Sequence, residues 1–306
     1  MHAKASIKLS LGAAALWLSG CAVGAPLTVC VSQDNPPQSQ VRAGQASGFD
    51  IRLARAVAEA SGRELKVLPF ETEFEKESTL AHEVNALLSS GLCDLVSGFP
   101  LLSADLGPAS RPSARTPDHP GAKRKRERPF VPLGELVASS AYQAATLAVA
   151  QAPNQPAVRT LMDLQGRRTA AVTGTLAGTL ISVYRGGALR SHMVTLSQRE
   201  NAWTALQTGR IDSLLLPTSA FDAHRLQHPD APWVLAELRR PIELNLGFVA
   251  LASAPQALLT VTNQVIAQAM RDGRMQQWAH QEGLSWTPPT MPAVTSGPSL
   301  ASLGQD

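Results

Sequence analysis

Short apolar runs alternate with amphipathic runs of helical period along this chain, and few folds accept that order. Residues 27–32 (LTVCVS) are rich in β-branched side chains and read as a strand. The strand breaks at a polar, proline-stopped loop, Gln33, Asp34, Asn35, Pro36 and Pro37. Phe49, Leu53, Val57 and Ala60 then recur at helical spacing, and Gly62 ends the run. Residues 65–70 form a second strand pattern, 78–90 a second helix stopped by Gly91, and 94–97 a third strand closed by Gly98, Phe99 and Pro100. Strand and helix alternating at this spacing predict right-handed βαβ units and a mainly parallel sheet.

The plan is stated twice. Leu88-x-x-Gly91-x-x-Asp94 runs into an apolar strand, and Leu206-x-x-Gly209-x-x-Asp212 does the same 118 residues later. In each, a helix ends on glycine and a strand follows at once. A length of 306 residues leaves room for two domains of this kind.

Residues 167–181 (RRTAAVTGTLAGTLI) carry the most suggestive chemistry. A short strand feeds the turn Thr173, Gly174, Thr175, and a helix begins near Leu176. The first N–H groups of a helix lack intrahelical partners, and the positive end of its dipole favours an anionic or strongly polar ligand. Gly174 permits close approach, while the two threonine hydroxyls can cap the helix or reach a ligand. Both readings stay open on these residues.

The N-terminus points to export. His2, Lys4 and Lys8 precede the apolar run 9–18, which is too short to span a bilayer and suits a secretory signal. It ends in Leu18, Ser19, Gly20 and Cys21, which resembles a bacterial lipoprotein cleavage box and implies a lipid on Cys21. The alternative is simple cleavage after Ala25, where Pro26 is unfavourable. Loss of Lys4 and Lys8 leaves 25 basic against 24 acidic side chains, so the charge balance gives no sign of nucleic-acid binding. Cys30 and Cys93 remain, and an even pair in an exported protein reads as one disulfide.

Residues 101–132 contain Pro108, Pro112, Pro117, Pro120, Pro129 and Pro132, with the basic run Lys123, Arg124, Lys125, Arg126, Glu127, Arg128. So long a loop is either solvated or recruited to meet an acidic partner or lipid head groups. Residues 288–306, rich in Pro, Ser and Gly, predict a disordered tail.

Enzyme motifs fail on inspection. There is no Gly-x-Ser-x-Gly elbow and no phosphate loop. His82-Glu83 opens like a zinc-protease motif, but Ala86 stands where the second histidine belongs. His224 and His228, with Asp222, share a helix face but supply no third strong metal ligand. Gly174 and Gly178 lack the first glycine of a dinucleotide fingerprint. Asp34, Glu71, Glu73 and Glu75 follow strands at one sheet edge, where they serve either acid–base chemistry or loop solvation. No cofactor, metal or catalytic set is expected.

These pieces together resemble the periplasmic solute-binding proteins of the amino-acid-binding type, the bacterial extracellular family 3. LTVCVSQDNPP looks like that family's first strand and ligand-side loop, and GFDIRLARAVAEASG like its first helix. ALLSSGLCDLVSG looks like its second helix and third strand, and ASSAYQAATLAVA like the approach to the first crossover. DLQGRRTAAVTGT looks like the opening of domain two; LNLGFVALAS and VTNQVIAQAMRDGRMQQWAHQEGL look like the return crossover and closing helix.

The resemblance implies a two-domain α/β periplasmic-binding-protein fold of type II, each domain a mainly parallel sheet flanked by helices, with two crossovers. The expected layout is a signal peptide at 1–20, domain one at 21–145 with the insertion 101–132, domain two at 146–243, a return segment of domain one at 244–286, and a tail at 287–306. It places ligand between the domains, with Thr173, Gly174 and Thr175 on a carboxylate, Asp34 and Asn35 contributing from the first loop, and Phe99 and Tyr142 as apolar walls. In this fold the strands of Cys30 and Cys93 are neighbours. Two departures stand out. Phe99, Pro100, Leu101 and Leu102 occupy the place of the family's site arginine, and Pro217 follows the strand that commonly ends in an acid. The two charges that would grip an α-amino acid are therefore not evident.

Three functions compete. The first is the monomeric periplasmic receptor of an ABC permease, binding a small polar or anionic molecule and touching the membrane only through a lipid anchor. The second is an accessory protein of a quinoprotein dehydrogenase, a branch that the paired cysteines resemble. The third is an enzyme of the cyclohexadienyl-dehydratase kind, for which Glu71, Glu73 and Glu75 are the clustered candidates. An open or apolar cleft favours the second, and a free acid–base pair the third.

Overall fold

The computed structural model describes residues 24–73 and 78–305. The signal segment 1–20, Cys21 and Glu75 lie outside the described residues. In chain order the main elements are β1 (Leu27–Ser32), α1 (Phe49–Ala60), β2 (Leu65–Phe70), α2 (Leu80–Ser89), β3 (Leu95–Pro100), β4 (Glu135–Ala138) and β5 (Gln143–Gln151). They continue with β6 (Thr169–Val172), α3 (Leu176–Val183), β7 (Met193–Leu196), α4 (Ala202–Gln207), β8 (Ser213–Pro217) and α5 (Thr218–Gln227). The chain then returns through β9 (Val234–Leu251), α6 (Gln256–Arg271), α7 (Arg274–Glu282) and α8 (Leu300–Leu303).

Each half builds the same sheet. β1 lies between β2 and β3, parallel to both; β6 lies between β7 and β8, also parallel to both. β5 and β9 are the two crossovers. They pair antiparallel with each other, and they join β8 on one side to β3 on the other. One hydrogen-bonded path thus runs β7-β6-β8-β5-β9-β3-β1-β2.

The sequence repeat is a structural repeat. Gly91 and Gly209 both take positive φ, 73° and 67°, at the ends of α2 and α4. Three residues on, Asp94 accepts from the backbone N–H of Thr28, and Asp212 from that of Arg168. The Asp94 and Asp212 N–H groups donate back to the carbonyls of Thr28 and Arg168. In each domain the aspartate therefore locks the incoming strand to its parallel neighbour, and an arginine, Arg63 or Arg168, pairs with its carboxylate.

Strand alternation sorts the cores. Leu27, Val29 and Val31 of β1 pack on α1, α6 and α7, whereas Cys30 faces the opposite layer with Val84, Leu87 and Leu88 of α2. In domain two, Leu215 joins the α3 layer, while Leu214 and Leu216 join Ala205, Leu206 and Phe221 of α4 and α5. Both sheet faces are buried, which is why the strands read as nearly continuous apolar runs. Cys30 and Cys93 form a disulfide across 5.7 Å between α-carbons, inside α2's core layer. Among the described residues, no helix is long and apolar enough to cross a membrane.

One expectation is corrected. The stretch after α7, expected to be a disordered tail, packs across the crossovers onto domain two. Asn245 of β9 is fully buried, and its side chain donates to the carbonyls of Thr290, Pro292 and Ala293 and accepts from the Thr290 N–H. Farther on, Leu303 of α8 enters the α3 core and Arg240 donates to the carbonyls of Ser302 and Gln305. Polar composition suggested disorder, but the backbone is satisfied by groups distant in sequence. Residues 101–132 are likewise a built insertion. Gly107–Pro108 pairs with β4, Ser113–Ala114 pairs with Val131–Pro132, and Asp118 bridges Glu71 at the end of β2.

Candidate functional site

β1, β2 and β3 all end at one edge of the domain-one sheet. Open α/β sheets place their crevice outside such strand ends, and a cavity of about 210 Å³ opens here. Ser32, Phe70 and Ser97 to Phe99 reach it from the strand ends, and Asn35 and Ser39 from the ribbon after β1. Thr72, Leu80 and Val84 close its far side, and Asp50 reaches in from the first turn of α1.

Local backbone chemistry positions Asp50. Gly48 precedes α1 at φ 118°, and a Cβ there would stand 2.4 Å from the Gln38 carbonyl oxygen, so only glycine lets the ribbon fold against the helix start. Asp50 is therefore carried inward with Phe49 and Ile51. Burial raises its carboxyl to about 7, against the opposing effect of the Tyr142 hydroxyl and of Ser97 beside it. Tyr142 Oη donates to Asp50 Oδ1 at 3.0 Å and accepts from the Gly98 N–H at 2.7 Å. Burial and the Asp50 charge hold the phenol well above its usual range.

The expected site residues divide. Asn35 and Phe99 line the cavity. Asp34 lies beside it but is turned to its own ribbon, accepting from Gln40 Nε2 and standing 3.8 Å from Arg42. Tyr142 is corrected: it is fully buried between the rings of Phe49 and Phe248, where it braces Asp50 and Gly98 rather than walling the cavity. Thr173, Gly174 and Thr175 lie at the end of β6 in domain two and do not line this cavity. Thr175 is the N-cap of α3; its Oγ1 accepts from the Gly178 N–H and donates to the Val172 carbonyl. Thr173 Oγ1 donates to the Leu196 carbonyl. Both hydroxyl protons are thus used internally. The turn keeps hydroxyl lone pairs and first-turn N–H groups to offer a ligand.

The other candidate acids are occupied. Glu71 accepts from Gln33 Nε2, and Glu73 pairs with the buried Arg128 at 2.6 Å. His82 Nδ1 accepts from the Thr79 N–H, so its Nε2 carries the proton and donates to Ser110 Oγ at 2.8 Å, which caps α2 rather than activating a serine. Asp222 faces away from the histidine pair and accepts from the Ser285 N–H and hydroxyl, tying α5 to the segment after α7. His224 stacks on Trp203 at 3.8 Å, and His228 lies 4.6 Å from it.

Sequence reasoning missed Asp50, Phe70, Thr72 and Ser97 as site residues. The available signal was positional: Phe70 and Ser97 lie at or near the ends of their strands, and Asp50 is a carboxylate inside an apolar helix face.

No protein-family model and no curated protein matches the sequence. Solved structures do share the fold. The second substrate-binding domain of Lactococcus lactis GlnP, in an open conformation, aligns at TM-score 0.59 and 15% identity, covering 85% of this chain and 96% of that one. The unliganded, open L-cystine solute receptor of Neisseria gonorrhoeae aligns at TM-score 0.56 and 16% identity, covering 84% and 92%. An ancestral cationic amino-acid solute-binding protein aligns at TM-score 0.55 and 20% identity, covering 84% and 95%. At these identities the likeness establishes the two-domain periplasmic-binding-protein fold.

Proposed function

We propose that the chain is an extracytoplasmic solute receptor of an ABC-type uptake system, with no catalytic role of its own. It takes a small polar or anionic molecule between the domain-one cavity and the Thr173–Gly174–Thr175 turn, and the domains, 21–145 with 244–286 and 146–243, close over it. The observation that carries this reading is the cavity itself, set where three parallel strands end and lined by hydroxyl, amide and apolar groups and the Asp50 carboxyl. The disulfide suits an oxidising compartment, and Cys21 supplies the lipid anchor that keeps a monomer near its permease. Of the acids that a dehydratase would need, Glu71 and Glu73 are held in a hydrogen bond and an ion pair, and Glu75 lies outside the described residues.

One observation favours docking on a periplasmic dehydrogenase as a second reading. The insertion presents Lys123, Arg124 and Arg126 to solvent, and Phe130 is 52% exposed with Arg115 over its ring, basic and apolar groups that suit an acidic protein. A thermal-shift screen against amino acids, organic acids, amines and sugars separates the two, because a ligand of the folded state raises Tm by mass action. A saturable hit confirmed by calorimetry supports the receptor. A protein that no solute stabilises, yet that binds a quinoprotein dehydrogenase in a salt-sensitive manner, overturns it.

A further inference from the structure

The receptor reading needs the domains to move, and the crossovers show where they can turn. β5 and β9 lose register twice. The loss between Ala148 and Ala150 lies inside domain two, where Val149, Ala236 and Leu238 share one core. The other lies between the pairs Ala144–Asn245 and Thr146–Pro241, where core membership changes: Ile242 packs in the α3 layer of domain two, and Leu246 against the α1 layer of domain one. Here Ala145 alone stands against Ile242, Glu243 and Leu244. Glu243 takes φ 53°, a backbone conformation that residues with a side chain rarely adopt. Hinges are a few residues that absorb backbone rotation, and this excursion sits where rotation would separate or join the domains.

The C-terminal segment grips this hinge. Thr295 Oγ1 donates to the Glu243 carbonyl at 2.6 Å. Two residues on, Asn245 holds Thr290, Pro292 and Ala293 through its side chain and accepts from the Leu101 N–H through its carbonyl. The chain just beyond β3 brackets Thr295: its N–H donates to the Leu101 carbonyl, and the Ser103 N–H donates to its carbonyl. Ala293 and Val294 pack against the α2 layer of domain one, and Leu303 enters the α3 core of domain two. The segment is thus anchored in each domain and bonded to the hinge residue between them. The residues lining the cavity all come from domain one, so these bonds are made while the Thr173–Gly174–Thr175 turn stands clear of it. A rotation at Glu243 redirects its carbonyl and weakens the Thr295 bond, so that bond favours the arrangement in which it is made.

We propose that the segment 290–297 is a hinge latch, with Thr295 the positioning residue that acts on the Glu243 backbone and holds the domains apart. Closure exchanges the Thr295–Glu243 bond for contacts between the domains. The latch deepens the receptor reading, since it sets the open–closed balance of the same two domains. It is measured without any solute, so its failure leaves the solute screen to judge the receptor, and a receptor that binds nothing leaves the latch measurable.

Spin labels report the distance between the domains in the full chain carrying Cys21→Ser, with the Cys30–Cys93 disulfide intact. Gln45→Cys on the ribbon after β1 and Arg199→Cys after β7 are exposed labelling sites, one in each domain. Pulsed dipolar spectroscopy then compares wild type, Thr295→Val and Thr295→Ser at position 295. Thr295→Val keeps the branched shape and removes the donor; Thr295→Ser keeps the donor. The fraction of molecules at short separation should rise about threefold to tenfold in Thr295→Val, as loss of one hydrogen bond allows, and stay at the wild-type level in Thr295→Ser. A Thr295→Val distribution that matches wild type or lengthens overturns the latch, and a fall in Tm alone marks Thr295 as a fold contact only. Thr295→Ser behaving as Thr295→Val overturns it too, because the effect then does not follow the hydroxyl.

Discussion

Tyr142 and Asp50, 92 residues apart, share a hydrogen bond of 3.0 Å in a fully buried setting. Through the Gly98 N–H on the same phenol, one contact joins α1, the end of β3 and the approach to the first crossover. It fixes the inner wall of the cavity to the strand on which the two domains are joined.

The pH dependence of stability should carry Asp50's signature. Its carboxyl is raised from 3.8 to about 7 in the folded protein. The folded state therefore binds the proton more tightly than the unfolded chain. Its contribution is favourable at low pH and is lost as pH rises through about 7, with a limit on the order of 4 kcal/mol. Asp50→Asn keeps an acceptor for Tyr142 and cannot ionise. Between pH 5 and 8 the wild type should lose Tm relative to Asp50→Asn; parallel profiles for the two would contradict this.

Reduction of Cys30–Cys93 should be costly. The bond spans a sequence separation of 63 residues, joining β1 to the turn just before β3. Removing such a bridge costs roughly 2–5 kcal/mol. Guanidinium unfolding with and without reductant reads this directly, and a Cys30→Ala, Cys93→Ala double variant should match the reduced wild type. Coincident curves for oxidised and reduced protein would refute it.

Thr175 should behave as a helix cap. Its Oγ1 accepts from the Gly178 N–H at 3.2 Å, so Thr175→Val should lower apo stability by about 1 kcal/mol, while Thr175→Ser keeps it. Urea melts of the three proteins decide the matter. No loss in Thr175→Val, together with weakened ligand binding, would return the hydroxyl to the ligand.

The C-terminal segment should be needed for stability. Asn245 alone satisfies three of its carbonyls and one N–H. Asn245→Ala should cost about 2 kcal/mol, because it removes the four hydrogen bonds of a fully buried amide that holds the segment to β9. Truncation after Thr287 should lower Tm further by also removing Leu303 from the α3 core. A truncated protein as stable as the full chain would show the segment to be ornamental.

Local signals carried much of the architecture. The helix-ending glycines before Asp94 and Asp212 marked two domains of one plan, because the positive φ and the strand anchor are encoded within a few residues. The turn at Thr173 to Thr175 was legible as a strand–helix junction for the same reason. Its use was not legible, since capping and ligand contact ask for the same hydroxyl. Asn35 and Phe99 were legible from their place after strands, whereas Ser97 and Asp50 needed β3 and α1 to be brought together.

The sequence by itself determined the alternation of elements, the paired domains and the cysteine pair, because hydrophobic period, helix stops and residue count act over short stretches of chain. The tertiary structure decided which polar groups are spent and which remain. Tyr142 became a brace, Glu71 and Glu73 were engaged by Gln33 and Arg128, and the polar tail was bound by Asn245. Each outcome depends on a group many residues away, and hydrogen-bond satisfaction is settled only when the whole chain has packed.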